Sequence, residues 1–165
     1  MSEDKPAVEQ IRRLIATFFE AVEWHWVAHY NVTHPTKRRL RDHRLHGVGG
    51  YNNRKTKKGG PSAHAEGRAA DIYVDASNGF LKSFGDALFT KITAHADELG
   101  VDHVIWNHQI WSTEKPTVRS WDDDPHEDHM HLAFTRAGAL KEWPSMEDIV
   151  EEAATETKRA HGILD

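Results

Sequence analysis

A chain of 165 residues suits one compact domain, and folding at this length buries roughly 70% of the unfolded surface, enough for a core without staples. The absence of cysteine excludes disulfides, thiolate metal sites and a thiol nucleophile, so any metal must be held by imidazole and carboxylate, for which the 13 histidines are candidates. The formal charge of −5 is unevenly spread: nine of the 21 Lys and Arg residues lie between Lys37 and Lys58, where Asp42 is the only acid; such a segment can grip an anionic polymer, but is more often a solvated loop.

A membrane span needs ~20 mostly apolar residues. The most apolar stretch, Ile11 to Tyr30, is broken by Arg12, Arg13, Glu20 and Glu23, so no membrane insertion is expected. The N-terminal MSEDKPAVEQ carries acids where a signal peptide has bases, and no apolar core follows. The expectation is synthesis in the cytoplasm without a signal peptide.

Val8, Ile11, Ile15, Phe18 and Val22 recur at helical spacing, predicting an amphipathic helix from Pro6 to about residue 28. Residues 31–63 read as irregular, with Pro35, basic residues and glycine pairs at 49–50 and 59–60. Ala69 to Val74 reads as a short strand. Asn78 is placed to cap a second helix, with Leu81, Phe84, Leu88 and Ile92 on one face and Gly100 as its stop. Val104–Trp106 and Ile110–Trp111 predict two strands joined by a tight turn at Asn107-His108. Ser112–Pro125 reads as a polar loop and His129–Phe134 as another strand. Ser145-Met146-Glu147-Asp148, after Pro144, resembles a capping box opening a last helix over about 145–160. This order predicts an α+β fold, a small mainly antiparallel sheet flanked by helices, in a single domain spanning 1–165.

Two clusters carry chemistry. In Ser62-Ala63-His64-Ala65-Glu66-Gly67-Arg68-Ala69-Ala70-Asp71 an imidazole sits in a glycine-containing turn and a carboxylate at the start of an apolar strand. A turn followed by a strand can bring both onto one metal, with Gly67 letting the backbone bend between them. In Asp124-Pro125-His126-Glu127-Asp128-His129-Met130-His131 the alternation of a strand puts His129 and His131 on one face. Two imidazoles and one carboxylate leave a fourth zinc position for water, the arrangement of catalytic sites.

Residues 62–71 match S-x-H-x-x-G-x-A-x-D, the signature that zinc D-alanyl-D-alanine carboxypeptidases carry, and Asp128-His129-Met130-His131 supplies the D-x-x-H that follows it. The chain thus resembles that family, within the lysostaphin/carboxypeptidase/hedgehog superfamily, and its phage and bacterial peptidoglycan endopeptidases. The motif-bearing part covers about residues 49–134; the terminal helices carry no motif. The resemblance implies a hedgehog/D,D-peptidase-like fold and one Zn2+ per chain, held by His64, Asp71 and His131. It implies Asp128 as general base, where many relatives have Glu, with His129 as the rival candidate. It implies Arg54, in Gly50-Tyr51-Asn52-Asn53-Arg54, as the cation facing the scissile carbonyl. Ser62 would brace the turn, and His126 and Glu127 would be rim residues.

The implied activity is hydrolysis of an amide bond in peptidoglycan stem or cross-link peptides, by a carboxypeptidase or an endopeptidase. An enzyme of the cell wall without a signal peptide would act after lysis, as a phage endolysin, or after specialised secretion, as an antibacterial effector. A holin or an immunity protein would then be its partner. One rival is a non-catalytic zinc-containing binding module on the same scaffold. Another is a metal nuclease built on Asp102-His103 and Asn107-His108, whose spacing is too short for that motif; nucleic acid is not an expected partner.

Overall fold

A computed structural model describes residues 3–26 and 48–162; the side chains of 21–26 are not part of that description. The first half of the basic segment, residues 37–47, lies outside it. The chain runs α1 (Pro6–Trp26), β1 (Val48–Gly49), β2 (Ala69–Ile72), α2 (Gly79–Ala94), β3 (Val101–Trp106), β4 (Gln109–Ser112), β5 (Arg119–Ser120), β6 (Met130–Phe134), a 3-10 turn (Gly138–Leu140) and α3 (Pro144–Ala160). The strands form one sheet in the order β1-β2-β6-β3-β4-β5, with every neighbouring pair antiparallel. The fold is α+β, as the order of elements predicts. No helix among the described residues is long and apolar enough to cross a membrane.

The two faces of the sheet have different work. Val48, Ala70, Ile72, Val104, Trp106, Trp111, Met130, Leu132 and Phe134 point to one side and join the core built with α1, α2 and α3. In that core the Phe18 and Phe84 rings stack at 4.0 Å, tying α1 to α2. Trp106 lies so close to Gly85 that a β-carbon there would stand 2.4 Å from Cζ2, and its indole N–H donates to Asp86 Oδ1 at 3.0 Å. Alternation sends Asp71, His131, His103 and Ile105 to the opposite face. That second face carries the chemistry.

Several local expectations change. Asn78 does cap α2, its side chain accepting from Leu81 N–H, but α2 ends at Ala94. Turns carry the chain on to Gly100, whose φ of +60° redirects it into β3. Asn107 and His108 both have positive φ, the geometry of a two-residue type I′ hairpin turn between β3 and β4. The polar stretch 112–125 is not all loop, because Arg119 and Ser120 pair with Ile110 and Gln109 as β5. Only two residues long, with Arg119 half-buried and Ser120 exposed, so short an edge strand carries no periodicity. The capping box at Ser145 does not form. The helix begins at Pro144 with Trp143 as an N-cap that makes no side-chain cap bond, and Gln10 of α1 brackets Trp143 instead, accepting from its N–H and donating to its carbonyl, each at 2.8 Å. A tertiary contact replaces the local cap. The last strand, expected from His129, starts one residue later, at Met130.

Candidate metal centre

The turn before β2 presents His64. Ala65 N–H donates to Ser62 Oγ at 3.1 Å, so Ser62 does brace this turn. Gly67, at φ +72°, lets the chain reverse into β2 under the N-terminal segment, and a β-carbon there would stand on the Glu3 carbonyl. Lys5 N–H bonds the Gly67 carbonyl at 2.8 Å, and Tyr51 N–H bonds Asp4, so residues 3–5 hold both flanks of the site. His64 is 2% exposed, and its Nδ1–H donates to the Gly50 carbonyl at 2.8 Å. That bond leaves the Nε2 lone pair free to face inward.

Asp71 on β2 is the register partner of His131 on β6. The three inward atoms form a nearly equilateral triangle: His64 Nε2 to Asp71 Oδ1 is 3.0 Å, His131 Nδ1 to Asp71 Oδ1 is 3.1 Å, and His64 Nε2 to His131 Nδ1 is 3.2 Å. A tetrahedral zinc with bonds of about 2.0 Å separates its donors by roughly 3.3 Å, so the triangle has the size of one face of such a site. Among the described residues this is the one group of three or more His, Asp or Glu side chains that can hold a metal ion. The three residues named from sequence converge.

Electrostatics prepare the donors. Burial alone would raise the Asp71 carboxyl, but its contacts with His131 and His64 outweigh that and hold it well below the usual carboxylate range. Burial pushes His131 down to about 4, against the pull of Asp71. Both groups therefore favour the deprotonated form that binds metal.

His129 and Asp128 sit beside the triangle. His129 Nε2 lies 3.8 Å from Asp71 Oδ1, while its Nδ1 contacts Asp128 Oδ1 at 2.7 Å. The Asp128 side chain is 79% exposed, so the imidazole is the inner member of the pair and the carboxylate the outer. Tyr73 packs against His129 with ring centroids 6.0 Å apart. Its hydroxyl pKa is raised, by burial first and then by the charges of Asp71 and Asp128, against a smaller opposing pull from Arg54. Arg54 itself is exposed, on the loop whose Lys55 pairs with Pro61.

Residues that the sequence did not assign to this centre also gather here. His126, expected on the rim, takes φ +52° and packs its ring 4.5 Å from His129 and 6.0 Å from His131. Glu127 does stay outside, paired with His108 at 2.5 Å. His103 of β3 comes to 3.0 Å from His131, Nε2 to Nε2, and its Nδ1 lies 2.6 Å from Asp102 Oδ2. Asp102-His103 thus joins the metal centre, whereas Asn107-His108 forms the hairpin turn at the end of the strand. The sequence singled out Asp102-His103 only within the nuclease rival and not as part of this centre; the partner of His103, 28 residues away, is set by strand pairing.

Comparison with known proteins adds one result. No curated protein and no solved structure matches the chain. A family model, described as the VldE C-terminal domain, matches residues 28–132, well over half of the chain and including His64, Asp71 and His131. The chain belongs to the VldE C-terminal domain family.

Proposed function

We propose that this chain is a zinc-dependent hydrolase of amide bonds in peptidoglycan stem or cross-link peptides, acting as a carboxypeptidase or an endopeptidase. The observation that carries the reading is the triangle of His64 Nε2, Asp71 Oδ1 and His131 Nδ1, with edges of 3.0 to 3.2 Å. Two imidazoles and a carboxylate fill three corners of a tetrahedron and leave one for water or substrate, the donor set of catalytic zinc sites. The resemblance of residues 62–71 and 128–131 to the zinc D-alanyl-D-alanine carboxypeptidase signature supplies the substrate class.

Zinc held by these residues supplies Lewis acidity toward a water and a substrate carbonyl. The protein supplies the proton acceptor. Asp128 accepts from His129 Nδ1–H, which leaves the His129 Nε2 lone pair directed toward the metal donors. Between the two candidate bases, this geometry favours His129 as the group that takes the proton, with Asp128 orienting it. The same pair returns the proton to the leaving amine. Arg54, the cation that the resemblance implies, steadies the charge that develops on the carbonyl oxygen. Release by lysis or by a specialised secretion system brings the chain to the wall, with a holin or an immunity protein as its partner.

The test is digestion of purified peptidoglycan by zinc-loaded protein, followed by mass spectrometry of the muropeptides. Loss of a terminal alanine, or separation of a stem or cross-bridge bond, supports the proposal and identifies the bond. A protein that holds one zinc per chain and releases nothing would instead be a binding module.

A further inference from the structure

We infer that Asp102 and His103 are positioning residues that set the tautomer and ring orientation of His131, delivering its Nδ1 lone pair to the metal through a carboxylate–imidazole–imidazole chain. The inference rests on the His64–Asp71–His131 centre holding a metal, and not on the reaction proposed for it.

Hydrogen positions along this chain are fixed one by one from the surface inward. An ionised carboxylate can only accept, so the 2.6 Å contact of Asp102 Oδ2 with His103 Nδ1 places a hydrogen on that nitrogen. A neutral imidazole with Nδ1–H carries its lone pair on Nε2. The 3.0 Å contact between His103 Nε2 and His131 Nε2 then requires its hydrogen from His131. His131 with Nε2–H has a lone pair on Nδ1, the atom 3.1 Å from Asp71 Oδ1 and 3.2 Å from His64 Nε2. His64 is set the same way by the Gly50 carbonyl. With both Nδ1 of His131 and Nε2 of His64 turned inward as acceptors, the centre is built to be neutralised from within: a cation does so when metal is bound, and a proton shared with Asp71 does so when it is not. Outer partners of this kind fix the tautomer of metal-binding histidines and raise their basicity.

The fold makes a specific provision for this chain. Val101 pairs with Phe134 and His103 with Ala133, so β3 has one residue more than β6 across this step, a β-bulge at Asp102. In a regular strand Val101 and His103 would share a face. Here Val101 enters the helix-side core while His103 stacks on His131, with ring centroids 5.0 Å apart and planes 27° from parallel. The bulge turns His103 onto the metal face and puts its carboxylate partner next to it in sequence.

The experiment measures zinc affinity by competition with a chromophoric chelator, on the full chain, for wild type, His103→Ala, His103→Gln and Asp102→Ala. Circular dichroism and thermal unfolding of the metal-free proteins check that each is folded. Losing an outer partner typically costs about 10- to 100-fold in metal affinity, and His103→Ala is expected in that range. The Gln side chain keeps an acceptor for His131 Nε2–H, so His103→Gln should recover most of the loss. Asp102→Ala, at a more exposed position, should weaken zinc by a smaller factor and serves if His103→Ala does not fold. Long-range 15N NMR of metal-free wild type should show His131 protonated at Nε2, assigned by loss of its signal in His131→Asn. Zinc affinities of His103→Ala and Asp102→Ala within about twofold of wild type, or His131 protonated at Nδ1, would overturn the inference while leaving the metal centre intact. A wild type that takes up no zinc would remove the metal centre itself.

Discussion

Asp71 and His131 face each other in register across two antiparallel strands, and their Oδ1 and Nδ1 atoms lie 3.1 Å apart. This pair is rigid because each backbone is held by the ladder on both sides, β2 lying between β1 and β6 and β6 between β2 and β3. Only His64 comes from a turn, and that turn is fastened by Ser62, Gly50 and the N-terminal segment. A site with its donors already in place loses little entropy on binding metal.

Removing any donor should remove the metal. His64→Ala, Asp71→Asn and His131→Ala are each expected to drop zinc content from one per chain to near zero by elemental analysis after gel filtration. Zinc at 100 times its dissociation constant should stabilise wild type by about 2.7 kcal/mol, read as a rise in thermal midpoint that a chelator reverses. A donor variant that still carries a full equivalent of zinc would refute the assignment.

Acid should destabilise the metal-free protein in two steps. Unfolded His131 takes up a proton near 6.5, whereas in the fold burial delays this until about 4. Between those values the unfolded state binds more protons, so stability present above pH 6.5 is lost as pH falls toward 4. Asp71, depressed further, extends the loss below its ordinary value of 3.8. Urea unfolding at a series of pH values should show this slope, and His131→Asn should flatten its upper part.

Catalysis and metal binding should separate at the Asp128–His129 pair. His129→Ala is expected to lower kcat by ~10²- to 10⁴-fold, the usual contribution of a general base. Asp128→Asn should cost less, because it disturbs the base without deleting it. Arg54→Ala should lower kcat by ~10²-fold if its guanidinium meets the oxyanion. All three should keep one zinc per chain. A peptidoglycan digestion rate unchanged in His129→Ala would exclude it as the base.

Gly67→Ala should unfold the site from its flank. The position needs φ +72°, and the new methyl would collide with the Glu3 carbonyl. Left-handed backbone at a non-glycine residue costs about 1–3 kcal/mol, before the collision is relieved. Chemical denaturation should show the loss of stability, and zinc affinity should fall with it, since His64 and Asp71 stand on either side. Unchanged stability would mean that residues 3–5 do not hold this turn in solution.

The sequence by itself determined the elements with strong period and the donors with strong local signatures. Three-and-four spacing marks α1 from Val8 to Phe18, Asn78 marks the start of α2, and Asn107-His108 marks the hairpin turn. His64 and Asp71 were legible because turn and strand lie seven residues apart; alternation put His129 and His131 on one face alike, and only the resemblance of Asp128-His129-Met130-His131 to D-x-x-H singled out His131. What only the tertiary structure decided depends on partners distant in the chain. Gln10 supplants the cap expected from Ser145, because a helix 133 residues away supplies better-placed bonds. β5 exists only because β4 offers it an edge. His103 reaches His131 because a one-residue bulge turns its strand over, and no local propensity encodes a register mismatch between strands 28 residues apart. Local chemistry is written in neighbours along the chain; the shell that orients it is written in the pairing of the sheet.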